Sequence, residues 1–293
     1  MIEMWRLVIL ISCCLSFGAA QSATCGVQAF PPHSHQGSRS TRIVGGQESV
    51  PHSWPWMVLL RFGTQEITCG GSIVRAPDGT LVVVTAAHCV DGQAVPSQWR
   101  IDVGIHSRSA MELNRKEYQV SEIVQHPGFN FQFLDDDFAI MKTTTPIELN
   151  NYVQPICLTG EPSEMKVGRE CVVIGWGATA QGGSPVDRLN EVYKPILADA
   201  DCATALSIFG YNNVSMMCAG NLVQGGVDAC SFDSGVPFAC KNAVSGAWEL
   251  VGISSWGFGC AQPGYPGVYT DVYNFIQWFN TNVQGPSNAP PVG

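Results

Sequence analysis

Three residue types that together can carry out acyl transfer occur in the order His88, Asp137, Ser234. A serine hydroxyl is a weak nucleophile until an imidazole takes its proton, and a carboxylate behind that imidazole fixes its tautomer and stabilises its cation. The run Asp228-Ala229-Cys230-Ser231-Phe232-Asp233-Ser234-Gly235-Val236-Pro237 points to Ser234 as the nucleophile. His88 ends the stretch Thr85-Ala86-Ala87-His88-Cys89, which follows an apolar run and places the imidazole at the end of a buried strand. Taken alone, His88 could equally be a structural histidine. Asp135-Asp136-Asp137 offers three carboxylates, which would also suit a solvated turn, but Asp137 adjoins the apolar run at 138–141.

The elements that must hold these groups read as short strands. Runs at 56–62, 81–85, 138–141, 171–174 and 250–254 are apolar and bounded by turn signals, and 31 Gly and 18 Pro suit a loop-rich β protein. Many short strands imply a barrel or sandwich. Helical spacing is strongest at the end, where Val272, Phe275, Ile276, Phe279 and Val283 share one face and Gly285-Pro286 is expected to stop the helix.

Composition narrows the setting. Fifteen basic against twenty-four acidic residues give a net charge of −9, so no electrostatic footprint for nucleic acid exists. Residues 1–20 match a secretory signal peptide, with Arg6, an apolar core at 7–17 and Gly18-Ala19-Ala20 before the expected cut. Removing it leaves ten of twelve cysteines, an even number for an oxidising compartment, where disulfides are the default. The rival is a metal site using Cys89, His88, His106 or His126, yet no CxxC or HxxxH spacing supports one, and neither metal nor cofactor is expected. Residues 21–42 form a Pro-, Ser-, Gly- and His-rich irregular segment, residues 43–284 the folded domain, and 285–293 a tail.

With all three motifs in the order His, Asp, Ser, the chain resembles the chymotrypsin and trypsin family of serine protease zymogens from Cys25 to about Val283. That resemblance implies an all-β fold of two six-stranded antiparallel barrels with a C-terminal helix. It also implies His88 as general base, Asp137 as its orienting carboxylate, and an oxyanion hole from the backbone N–H groups of Phe232 and Ser234. Arg42-Ile43-Val44-Gly45-Gly46 is similar to the family's activation site, with Asp233 as partner of the amino group freed on Ile43; the plainer role for Asp233 is a turn cap. The Cys25-Gly26-Val27 start resembles a chymotrypsinogen-type propeptide. Family pairing then joins Cys25–Cys157, Cys69–Cys89, Cys171–Cys240, Cys202–Cys218 and Cys230–Cys260.

Specificity follows by the same resemblance. Asp228 corresponds to a carboxylate at the floor of the primary pocket, selecting Arg or Lys, unless it is an exposed loop residue. Ser255-Trp256-Gly257 and Gly267 match the pocket walls. Two departures stand out: Phe232 and Val236 replace glycines usual in the nucleophile segment. A phenyl ring at 232 is expected to obstruct proteinaceous inhibitors and to lower activity. Ile105 replaces a frequent calcium ligand, so no calcium is expected. Asn213-Val214-Ser215 is a glycosylation sequon or an unmodified surface turn.

The leading expectation is a secreted endopeptidase cleaving proteins or peptides after Arg or Lys. An activating trypsin-like protease would convert it to a monomer of two disulfide-linked chains, without nucleic-acid or membrane partners. The alternative is a catalytically impaired homologue acting as a binding or regulatory protein, motivated by Phe232 and Val236.

Overall fold

The computed structural model describes residues 25–33, 46–178, 182–225, 233–259 and 262–283. The expected signal peptide and tail lie outside these residues. After a short strand β1 (Gln47–Glu48), six strands build the first half: β2 (Met57–Phe62), β3 (Cys69–Arg75), β4 (Leu81–Thr85), β5 (Trp99–Val103), β6 (Lys116–Gln125) and β7 (Ala139–Thr143). They close as a barrel in the order β2-β3-β4-β7-β6-β5, β5 returning to pair with β2. Val82, Val83 and Val84 of β4 are all fully buried, on both faces, which is why this strand reads as a continuous apolar run instead of an alternating one.

The second half holds β8 (Cys157–Leu158), β9 (Glu170–Gly175), β10 (Asn190–Pro195), β11 (Met216–Ala219), β12 (Pro237–Lys241), β13 (Trp248–Trp256) and β14 (Gly267–Asp271). Six of these follow the order β10-β9-β12-β13-β14-β11, while β1 extends the sheet beyond β10 and β8 lies parallel to β13. The two ends of the six meet through a bridge between Ile196 and Ala219, with Leu197 N–H donating to Cys218 O at 3.0 Å and Gly220 N–H to Pro195 O at 3.0 Å. A short helix α1 (Asp199–Ala205) follows β10, and helix α2 (Val272–Asn282) ends the described chain.

Helix α2 buries Val272, Phe275 and Phe279, while Ile276 is only half-buried and Trp278 shares the packing face instead. It stops at Asn282, before the expected Gly285-Pro286 signal. Asp271 caps its start by accepting from Tyr273 N–H at 3.3 Å. Phe275 stacks on Phe138 at 5.3 Å, so the helix clamps the segment that carries Asp137.

Four disulfides are present: Cys25–Cys157, Cys69–Cys89, Cys171–Cys240 and Cys202–Cys218. Cys230 and Cys260 lie outside the described residues. Residues 25–33 are irregular, as the composition suggests, but they are docked on the domain. Gly26 N–H donates to Pro155 O at 2.8 Å, and Trp248 N–H donates to Gly26 O at 2.9 Å. A Cβ on Gly26 would stand 2.3 Å from Trp248 O, so this close backbone approach requires glycine.

Candidate active site

His88 sits in a single 3-10 turn, Ala87–Cys89, immediately beyond β4. The Cys69–Cys89 bridge fastens that turn to the start of β3. Asp137 lies just before β7 and is 1% exposed. One of its oxygens, Oδ1, accepts from the backbone N–H of His88 at 2.8 Å; the other, Oδ2, lies 2.7 Å from His88 Nδ1. Two hydrogen bonds to one carboxylate set both the position and the plane of the imidazole, with Nδ1 facing the carboxylate and Nε2 turned away from it.

Asp137 is itself held from the second half of the molecule. Ser255 donates to Asp137 Oδ2 at 2.5 Å, and Thr270 Oγ1 donates to Asp137 O at 2.7 Å. The resemblance marks Ser255 as a pocket wall only. Nothing in the sequence links it to a carboxylate 118 positions away. Thr270, on β14, lies three residues beyond the pocket-wall Gly267, and its contact with Asp137 is likewise not written in the sequence. Neighbouring Asp135 accepts from Asn212 Nδ2 at 2.9 Å and Ser215 Oγ at 3.4 Å, while Asp136 lies 3.7 Å from His126, so the three acidic residues have three different environments.

Ser234 occupies a turn wedged between the two sheets. Gly70 N–H, on β3, donates to Ser234 O at 2.9 Å, and Gly235 N–H donates to Ser254 O at 2.8 Å. Gly235 has φ +78, and a Cβ there would meet Thr85 Oγ1 at 2.2 Å, three residues before His88. The Ser234 turn is thus pressed against the strand end that leads to His88. Among the described residues no hydrogen bond links Ser234 Oγ to His88; such contacts often tighten only when substrate is bound.

Val236, one of the two departures, is 1% exposed and fits because its neighbours lack side chains. A Cβ on Gly70 would stand 2.4 Å from Val236 Cγ1, and one on Gly175 would stand 3.2 Å from it. Phe232, the other departure, lies outside the described residues, as do Asp228, Arg42 and Ile43. Asp233 is 9% exposed and accepts from Gly177 N–H at 2.8 Å. Its carboxylate fills the space beside Gly175 and Gly177, where added Cβ atoms would stand 2.1 and 2.2 Å from it.

The expected pocket walls converge: a Cβ on Gly257 would have Gly267 Cα at 3.9 Å, so the two glycines face one another. Trp256 ends β13 half-buried, and both it and Phe209 pack against the small buried cluster that includes Cys202, Leu206 and Val268. Asn213 is exposed in a turn, whereas Ser215 of the same sequon is buried. Cys69, His88 and Cys89 crowd together, but both sulfurs are spent in one disulfide and offer no thiolate for a metal.

A family model for trypsin matches residues 43–279. The chain belongs to the trypsin family. Relatives of this trypsin-family serine protease include serine protease 56 of Homo sapiens, 37% identical over 251 residues, which cover 85% of this chain and 40% of that protein. Transmembrane protease serine 9 of Rattus norvegicus is also 37% identical, over 244 residues, covering 83% of this chain and 22% of its own length. The chain therefore spans less than half the length of both relatives. Among the described residues no helix is long and apolar enough to cross a membrane.

Proposed function

We propose that this trypsin-family protease is a secreted endopeptidase, made as an inactive precursor and activated by cleavage between Arg42 and Ile43, that hydrolyses peptide bonds after Arg or Lys. The observation that carries the reading is the buried Asp137 carboxylate, which receives two hydrogen bonds from His88 and one from Ser255 while Ser234 is anchored to Gly70.

In this reading His88 Nε2 accepts the Ser234 hydroxyl proton as Oγ bonds to the substrate carbonyl carbon. The carbonyl oxygen gains negative charge, which the N–H groups of Phe232 and Ser234 receive. His88 then protonates the departing amine, leaving an acyl-enzyme, and a water attacks by the same route in reverse roles. Asp228 supplies the carboxylate that pairs with the Arg or Lys side chain of the substrate.

Activation fits the cradle around Asp233. A carboxylate set between two glycines suits an ion pair with a new amino terminus at Ile43, and breaking one partner of such a buried pair is strongly destabilising. Asn213 is proposed as a glycan acceptor on its exposed turn.

The test is to cleave the protein after Arg42 and compare turnover of Arg, Lys and Phe peptide substrates with that of Ser234→Ala. Arg and Lys turnover that vanishes in Ser234→Ala is the expected result. Equal rates in both proteins would instead favour a binding or regulatory homologue, and faster Phe turnover would overturn the role of Asp228.

A further inference from the structure

Two of the residues just ahead of Asp137 have left-handed backbones, Leu134 at φ +55 and Asp136 at φ +51. Aspartate tolerates that conformation, whereas for a bulky residue such as leucine it is uncommon. Backbone of this kind persists only where its surroundings impose it. Asp135, between the two, meets those surroundings with both its backbone and its side chain. Its carbonyl accepts from Asn130 N–H at 3.1 Å, and its Oδ1 accepts from Asn212 Nδ2 at 2.9 Å and, less closely, from Ser215 Oγ at 3.4 Å.

We propose that Asp135 is a positioning residue for Asp137: by anchoring to the turn at 212–215 it fixes the left-handed segment that seats the Asp137 carboxylate against His88. The proposal rests on the reading of Asp137 as the partner of His88 in acyl transfer.

The anchor is itself held by the strand that holds Asp137. Thr270 Oγ1 donates to Asp137 O at 2.7 Å, and the next residue, Asp271, donates its N–H to Ser215 O at 3.0 Å. Ser215 is buried, and Met216 beside it pairs with Thr270 across β11 and β14. The contacts therefore close a ring, from Asp137 through Thr270 and Asp271 to Ser215 and back through Asp135. Asn274 of α2 adds a bond to Val214 O at 2.9 Å. A second contact joins the same two loops, because a Cβ on Gly210 would stand 3.0 Å from Phe133 Cδ1. Asp136 serves a different neighbour, its Oδ2 lying 3.7 Å from His126 Nδ1.

Placement matters at this point because the Asp137 carboxylate meets His88 through two bonds of 2.7 and 2.8 Å. A displacement of about 1 Å caused by a change remote from the reacting atoms can cost ~10² in rate. Freeing Asp135 lets Leu134 and Asp136 relax out of the left-handed region, and Asp137 follows directly in the chain.

The experiment compares Asp135→Ala with Asp135→Asn in protein cleaved after Arg42, since the amide oxygen of asparagine still accepts from Asn212 and Ser215. Asp135→Ala should lower kcat on an Arg peptide about ten- to a hundredfold, with KM changed less than about twofold, and Asp135→Asn should recover most of the loss. A second readout needs no turnover. The proton NMR signal between His88 Nδ1 and Asp137, recorded in a Ser234→Ala background, should lose intensity to solvent exchange in Asp135→Ala and keep it in Asp135→Asn. This signal reports on placement even if hydrolysis after Arg or Lys is not observed, so failure of the proposed function and failure of this inference are distinguishable. Asn212→Ala removes one donor, leaves the sequon at 213–215 intact, and should reproduce part of both effects; it carries the test if Asp135→Ala does not fold. Equal losses in Asp135→Ala and Asp135→Asn would show that charge and not placement acts, and would overturn the proposal. An unchanged NMR signal in both Asp135→Ala and Asn212→Ala would overturn it as well.

Discussion

Ser255 donates its hydroxyl proton to the same Asp137 oxygen that faces His88 Nδ1, so one carboxylate oxygen joins a residue of β13 to the imidazole at the end of β4. A shared acceptor at 2.5 and 2.7 Å ties the two halves of the molecule together at Asp137. Hydrogen bonds to charged groups contribute about 1.5–3 kcal/mol each, so the tie affects how well the histidine is held.

Ser255→Ala should therefore lower kcat by roughly tenfold, since about 1.4 kcal/mol of lost orientation corresponds to a factor of ten. Asp137→Asn, which removes the charge and the correct tautomer together, should cost ~10⁴ in kcat. Steady-state kinetics on an Arg peptide would check both, and equal losses in the two variants would contradict the separate roles.

Gly177→Ala places a methyl 2.2 Å from the Asp233 carboxylate, which must then move. Activity after cleavage at Arg42 should fall sharply while urea-induced unfolding remains cooperative. Normal turnover in this variant would show that the Asp233 cradle is not needed for activation.

Acidification should act on stability through His126, whose ring packs edge-on against Phe275 and Trp278 at 5.2 and 4.8 Å. Burial lowers its pKa below 6.5, with Asp136 opposing. The unfolded chain thus binds the proton more readily, so this stability is present above pH 6.5 and is lost as pH falls through the folded value. Urea midpoints measured against pH should fall below pH 6.5 in the wild-type protein and fall less steeply in His126→Gln.

Phe232→Gly should raise turnover, by as much as ~10² if the phenylalanine turns an oxyanion donor away, and should strengthen binding of proteinaceous trypsin inhibitors. Turnover and inhibitor titration on the same preparation separate the two effects.

After cleavage at Arg42, the peptide bearing Cys25 should remain attached until reduction, through the bridge to Cys157. Mass analysis before and after reductant reads this directly. A free peptide without reductant would contradict the link in the processed protein.

Much of the architecture was legible because short-range patterns report it. The buried β4 run announced a strand, Asp137 stood out by adjoining β7, and the 3.6-residue spacing of Val272, Phe275 and Phe279 announced α2. Helix α2 ends at Asn282, ahead of the Gly285-Pro286 signal, which lies outside the described residues. Residues 25–33 look like a loose extension in composition. Their docking rests on backbone hydrogen bonds and a disulfide, neither of which depends on hydrophobic periodicity.

By itself the sequence determined the residue types and their order: a histidine after a buried strand, an aspartate before another, and a serine in a turn-rich segment. Only the tertiary structure decided what surrounds them. Ser255 and Thr270 reach Asp137 across the two sheets, Gly70 and Gly175 leave room for Val236, and His52 meets His106 across more than fifty residues. The physical reason is that hydrogen bonds and close packing depend on distances set by sheet closure and strand register. No local pattern along the chain records those distances.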